Sequence, residues 1–165
     1  MAKIQWTKAL EDYAIQINRL SLRSPNICSK AVYEMANIVA NEIKEQLNSL
    51  PAEPDPEGLK AWKEGRKAKL TVSEKKALID GFGISPMQRD DGFYNVKVGF
   101  DGYDNVETQS YPNGRPIVMI ARAVESGSSV REKTPFVRPA VNRARKKAID
   151  ACDRIINEEM KKQST

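Results

Sequence analysis

The chain has 165 residues, enough for one domain with a modest core, and combines 40% hydrophobic with 30% charged residues at a net charge of +5. No apolar run approaches the ~18 residues of a membrane span, and the N-terminal MAKIQWTKALEDY carries acids and alternates polar with apolar, unlike a secretory signal, so a cytosolic origin is expected. Histidine is absent, which removes His-based triads, His general bases and His-containing zinc or iron sites together.

The expected elements begin with a helix, because Trp6, Leu10, Tyr13, Ile17 and Leu20 recur at helical spacings. Ser24 as N-cap and Pro25 as first helical residue open a second helix to about Asn48, with Val32, Met35, Ala36, Val39, Ile43 and Leu47 as its apolar stripe. Pro51, Pro54 and Pro56 then predict a helix stop followed by an extended acidic connector. From Leu59 to Leu70 the chain is strongly charged around Trp62. Basic residues beside an aromatic invite a nucleic-acid reading; against it stands a charged loop that Trp62 anchors to the body. Residues 51–72 as a whole are expected to form a mobile charged linker inside a single domain spanning 1–165. Ser73 then caps a short helix over Lys75 to Phe82, closed by Gly83.

Beyond Met87 the period changes from helical to alternating. Tyr94, Val96, Val98 and Phe100 fall on one face and Phe93, Asn95, Lys97 and Gly99 on the other, which predicts a half-buried strand. Asp91-Gly92 is the turn before it, and a return strand is expected near Val106 to Ser110. Ile117 to Val124 could be a strand by its β-branched start or a helix by its Met-Ile-Ala-Arg-Ala centre; the helix is favoured, since Ile117, Ile120 and Val124 align at three and four. Gly127 ends that run, because glycine enters positive-φ conformations without a Cβ penalty. Pro135 and Pro139 push Thr134 and Arg138 towards extended geometry, Phe136 and Val137 plug the hinge between them, and Pro139 opens a last helix to about Lys161. Val141, Ala144, Ala148, Cys152, Ile155 and Ile156 make that helix's narrow apolar stripe. The architecture that follows is α+β: N-terminal helices, a small antiparallel β-sheet, and a long C-terminal helix packed on the sheet.

Cys28 and Cys152 lie far apart with no local Cys-x-x-Cys pair, and buried free thiols are expected, since cysteine packs as a small hydrophobe. A bridge between the first long helix and the last stays open. Asp90-Asp91 and Asp101/Asp104 sit among glycines and read as turn formers. The run Asp101-Gly102-Tyr103-Asp104-Asn105 lacks the ligand order and terminal Glu of a calcium loop. Gly81-Phe82-Gly83 has neither the P-loop lysine nor the dinucleotide fingerprint. No catalytic residue, cofactor or metal is therefore expected.

The charge is uneven. Tyr111 to Lys147 holds nine basic residues against Glu125 and Glu132, a net +7, while the remaining 128 residues carry a net −2. A cationic region in an otherwise balanced protein needs a partner. Arg131, Lys133, Arg143, Arg145, Lys146 and Lys147 form the candidate DNA-facing patch. A free nucleic-acid-binding protein making phosphate contacts is one reading, but no helix-turn-helix, zinc or RNA-recognition signature accompanies it. An enzyme such as a nuclease is a further reading, opposed by the missing histidine and the missing acidic cluster.

A third reading comes from a resemblance. Ala121-Arg122-Ala123-Val124-Glu125-Ser126-Gly127, a short loop, and then Thr134-Pro135-Phe136-Val137-Arg138-Pro139-Ala140 resemble the signature of a minor tail-component or neck-protein family of long-tailed phages and prophages. The likeness is close over roughly the last third of the chain, and Ser126 stands where the family often carries an aromatic residue. The resemblance implies a structural virion protein that joins the DNA-filled head to the tail, without cofactor or catalysis. Its implied partners are further copies of itself in a ring, head-closure or connector proteins, tail-terminator or tail proteins, and genome DNA in the channel, with no membrane. The implied location is the virion neck, reached by assembly in the host cytoplasm. Arg122, Glu125, Gly127, Phe136, Arg138 and Pro139 are the assembly residues it points to.

Overall fold

A computed structural model describes residues 25–163, so the expected first helix and the Ser24 cap lie outside the described residues. The fold is α+β. Three helices come first, α1 (Pro25–Ser49), α2 (Asp55–Lys63) and α3 (Val72–Asp80). Four short strands follow, β1 (Phe82–Ile84), β2 (Gln88–Asp90), β3 (Phe93–Asn95) and β4 (Val98–Phe100), and then helices α4 (Ile117–Ser126) and α5 (Val137–Gln163). The strands pair as two two-stranded sheets, β1 with β4 and β2 with β3. Among the described residues the chain forms two compact units. One contains Ile43–Gly83 and Gly99–Ala140; the other contains 25–42, Ile84–Val98 and 141–163.

In the second unit, the small residues of two long helices allow close approach. Cys28 and Ala31 of α1 meet Cys152 of α5, and Val32, Met35, Tyr94, Ile155 and Ile156 pack around them. Tyr94 thus places the β2–β3 hairpin against this cluster. The hairpin is antiparallel, with Arg89 opposite Tyr94, and turns on Asp91 (φ 51°) and Gly92 (φ 85°), the two positive-φ residues that a tight two-residue turn demands. The Arg89 guanidinium lies 5.4 Å from the Tyr94 ring centroid. Neither cysteine is in a disulfide, and both are fully buried. Burial pushes the Cys152 thiol up to about 11, with the charges of Asp153 and Cys28 adding to it, and burial raises Cys28 as well. Because the thiolate is the reactive form, the folded protein at pH 8 should resist a thiol-labelling reagent that modifies both cysteines in denaturant. Rapid labelling of the native chain would contradict this packing.

The first unit departs from the expectations at several points. The three-proline stretch does not stay extended: Pro54 is the N-cap of α2 and Pro56 lies in its first turn, where a missing N–H costs nothing. Ala61, not Trp62, is the buried residue of α2; Trp62 is 66% exposed and anchors nothing. The next helix is capped by Thr71 instead of Ser73. Its hydroxyl accepts from the Glu74 N–H while the Glu74 carboxylate accepts from the Thr71 N–H, a reciprocal capping box. The Ser73 N–H is taken by Asp55 at 2.9 Å, and this bond holds the Asp55 carboxyl below its ordinary range. That helix stops at Gly81, two residues early, because Phe82–Ile84 is recruited as β1.

The single strand expected over 93–100 breaks after Asn95, since its two halves serve different partners, β2 and β1. Val98 and Phe100 are buried and alternate as expected. No return strand forms at 106–110; Thr108 and Tyr111 close a tight turn on each other instead. Helix α4 buries Ile117, Ile120, Ala121 and Val124, the stripe that its spacing predicts.

Candidate functional site

The most constrained local structure lies where α4 hands over to α5. Helix α4 ends at Gly127, whose φ of 73° suits glycine; a Cβ there would also come within 2.9 Å of Lys133. The chain then loops back, and the Thr134 N–H donates to the Val124 carbonyl at 2.8 Å. Two residues before the glycine, the Glu125 carboxylate faces the start of α5. It accepts from the backbone N–H groups of Phe136 (2.7 Å), Val137 (2.8 Å) and Arg138 (3.0 Å). These are the orphan donors of a helix N-terminus, and a carboxylate also complements the positive end of the helix dipole. Pro139 follows as the residue with no N–H to satisfy.

This arrangement corrects the expected conformation of Arg138. The residue is helical, since α5 begins at Val137, two residues before the proline. The clash that disfavours helical geometry before proline is offset by three charge-assisted hydrogen bonds to one acceptor. Arg138 meets Glu125 through its backbone only; its side chain is exposed and makes no ion pair among the described residues. Arg122 is likewise exposed and without an ion-pair partner among the described residues. Phe136 is 0% exposed and meets the Phe100 ring edge-on at 5.9 Å, and Phe100 in turn contacts Phe82 at 5.1 Å. Glu125→Ala should therefore cost about 2 kcal/mol, as a lost cap with partly buried donors left bare. Denaturant unfolding measures the loss, and faster hydrogen exchange at residues 136–138 would localise it. An unchanged exchange rate there would mean that the cap is not formed in solution.

A second constellation in the same unit was not legible in the sequence. The Asp104 carboxylate accepts from the Arg115 backbone N–H (2.7 Å), from its Nε (2.9 Å) and Nη2 (2.6 Å), and from the Val106 N–H (3.1 Å). Arg115 Nη1 reaches Glu74 at 3.1 Å, and Arg131 Nη2 reaches the same Glu74 oxygen at 2.6 Å. Arg131 also donates to the Lys69 carbonyl at 3.2 Å. The sequence offers Asp104 as a turn former and Arg131 as a member of the basic patch, with nothing to pair them with Glu74 or Arg115. A Thr-x-x-Glu signature at Thr71–Glu74 was the available signal, because it fixes the glutamate at the helix start.

Burial works against the Asp104 carboxylate, but the hydrogen bonds and charge of Arg115 outweigh it and hold the group below its ordinary range. A depressed carboxylate stabilises the fold above its unfolded value, near ~3.9, and that contribution is lost as the pH falls through the folded value. Between pH 6 and pH 2 the melting temperature should fall more steeply for the native chain than for Asp104→Asn; parallel curves would remove Asp104 from the acid response.

The basic set is thus divided. Arg131 is drawn inward by Glu74, while Lys133 is exposed in the same unit. In the other unit Arg143 pairs with Glu42 at 2.6 Å, Arg145 donates to Asn142 at 3.3 Å, and Lys146 and Lys147 are exposed. Among the described residues no cluster of three or more acidic, cysteine or histidine side chains is arranged to hold a metal, and no helix is long and apolar enough to cross a membrane. Comparison with protein-family models, with curated proteins and with solved structures gives no match to the chain.

Proposed function

We propose that the chain is a structural subunit of the neck of a long-tailed phage, joining copies of itself into a ring where the filled head meets the tail. The observation that carries this reading is the Glu125 carboxylate, which ties the two halves of the resemblance signature into one device. The first half supplies the carboxylate and the glycine exit; the second supplies the buried Phe136 and the helix start. Such a corner holds the first turn of α5 against the end of α4, and a subunit that works by shape needs that start held. The reading assigns no cofactor and no catalysis. Its partners are head-closure and tail proteins, with genome DNA inside the channel.

Particles assembled without this polypeptide should accumulate separate full heads and tails, counted by electron microscopy. Normal joining and infection without it would end the proposal. Arg138→Glu should leave stability within about 0.5 kcal/mol, as for other exposed positions, while preventing head–tail joining. Unfolding of that variant would make Arg138 an internal strut instead. A free nucleic-acid binder is the weaker reading, because Arg131 and Arg143 already hold Glu74 and Glu42. It requires a DNA affinity that falls steeply with salt, in proportion to the phosphates contacted.

A further inference from the structure

Helix α2 carries an apolar knob. Leu59 and Trp62, one turn apart, are 57% and 66% exposed. The acids around the knob are already engaged: Glu53 pairs with Lys69, Asp55 accepts from the Ser73 N–H, Glu57 pairs with Lys60, and Glu64 pairs with Arg66. Lys63 and Lys67 have no ion-pair partner among the described residues and leave the knob with two uncompensated cations. With four local acids set among its cations, the segment as a whole is a poor phosphate-binding surface, so a protein partner fits it better than a nucleic acid.

The other unit holds a groove of about 360 Å³ between α1 and α5, in which Tyr33 and Ile155 are the apolar lining among polar and charged side chains that include Ser29 and Asn37. Lys30 and Glu159 at its edge pair with each other at 3.3 Å. Glu34 and Glu158, also at the groove, make no ion pair among the described residues, so it carries two uncompensated anions. The groove is large enough for an aromatic side chain, and its charge is opposite to that of the knob.

We infer that the Leu59/Trp62 knob of one copy seats in the Tyr33/Ile155 groove of a second copy, with Lys63 and Lys67 facing Glu34 and Glu158. The two surfaces differ, so the contact is head-to-tail and each copy offers both halves, the type of interface that builds a ring when the rotation between copies closes and a filament when it does not. The inference rests on the ring-forming reading above and names the contact that would build it. A buried tryptophan at the centre of an interface is the usual anchor, and its truncation weakens association about 30-fold or more.

The test uses the full chain, with native mass spectrometry and analytical ultracentrifugation to read assembly and melting temperature to read folding. Trp62→Ala and the double variant Glu34→Lys/Glu158→Lys should each remain folded and lose the ring. Mixed one to one, they should form heterodimers and nothing larger, since only one intact contact can be made between them. Adding Lys63→Glu/Lys67→Glu to the groove variant restores opposite charges and should recover assembly.

Rings that persist in both variants, or a mixture that stays monomeric, would overturn the inference while leaving the neck reading standing. A large drop in melting temperature on altering Glu34 and Glu158 would also overturn it, since the groove would then belong to the chain's own interior. If the unaltered chain never assembles and heads join tails without it, the neck reading fails first and this contact fails with it.

Discussion

Phe136→Ala is expected to lower the stability of the isolated chain by about 3–5 kcal/mol, the range for truncating a fully buried aromatic residue. The ring is 0% exposed and closes a row of three phenylalanines, edge-on to Phe100, which in turn contacts Phe82. Alanine would leave a void that backbone atoms cannot fill, because the Glu125 carboxylate holds the residue's own N–H at 2.7 Å and the helix starts at the next residue. Phe136→Leu fills most of that void and should cost clearly less. Urea unfolding reads both, and an unchanged slope with a lower midpoint would show that stability has changed and not the unfolded state. The alanine variant should melt roughly 6–20 °C lower, at about 2–4 °C per kcal/mol for a chain of this size. A loss below about 1 kcal/mol, against the same range, would mean that the ring is not core in the free protein and serves a neighbour instead. Phe136→Ala and Glu125→Ala should not add, because they share one corner.

The parts of this fold that were legible in the sequence are those where a local rule meets no competitor. Helix α4 buries the stripe its spacing predicts, helix α1 buries Ala36, Val39, Ile43 and Leu47 of its expected stripe, and the Asp91-Gly92 turn needs only its two positive φ angles. Gly127 was readable for the same reason. The misreadings share a different cause. Pro139 suggested an extended Arg138, and only a carboxylate thirteen residues upstream, accepting the Arg138 N–H, makes the helical form affordable. Tyr94 to Phe100 alternates like one strand, but the alternation cannot reveal that its ends pair with different strands. Trp62 looked like an anchor because tryptophan is usually buried at least in part, whereas here the neighbouring Ala61 takes the inward position. In the candidate site, the sequence indicated the corner and its residues; the three N–H bonds that join its halves are tertiary and have no sequence period. The buried ion cluster was invisible for a related reason, since its four members come from four separate segments.

That cluster gives the second large expected effect. Glu74→Ala should destabilise the chain by about 3–5 kcal/mol, the cost of removing one partner from a buried charge network. The Glu74 side chain is 5% exposed and accepts from Arg115 and Arg131 through one oxygen and from the Thr71 N–H through the other. Its removal leaves Arg115 with Asp104 alone and Arg131, whose side chain is 12% exposed, with the Lys69 carbonyl but no carboxylate among the described residues. It also breaks the capping box of α3, so the loss has an electrostatic part and a helix-start part. Glu74→Gln separates them: glutamine can still accept from the Thr71 N–H and keep the cap, but it offers the arginines no charge. The expected order of stability is native, then Glu74→Gln, then Glu74→Ala. If the glutamine variant matches the native chain, the cluster acts through hydrogen bonds and shape and its charge is incidental. If both variants are within about 0.5 kcal/mol of native, as surface changes are, the arginines reach water freely and Arg131 returns to the exposed basic set. The middle outcome, a graded loss, keeps Arg131 as an internal strut that ties the 128–131 turn to α3, and leaves Lys133 as the exposed cation of the basic set in that unit.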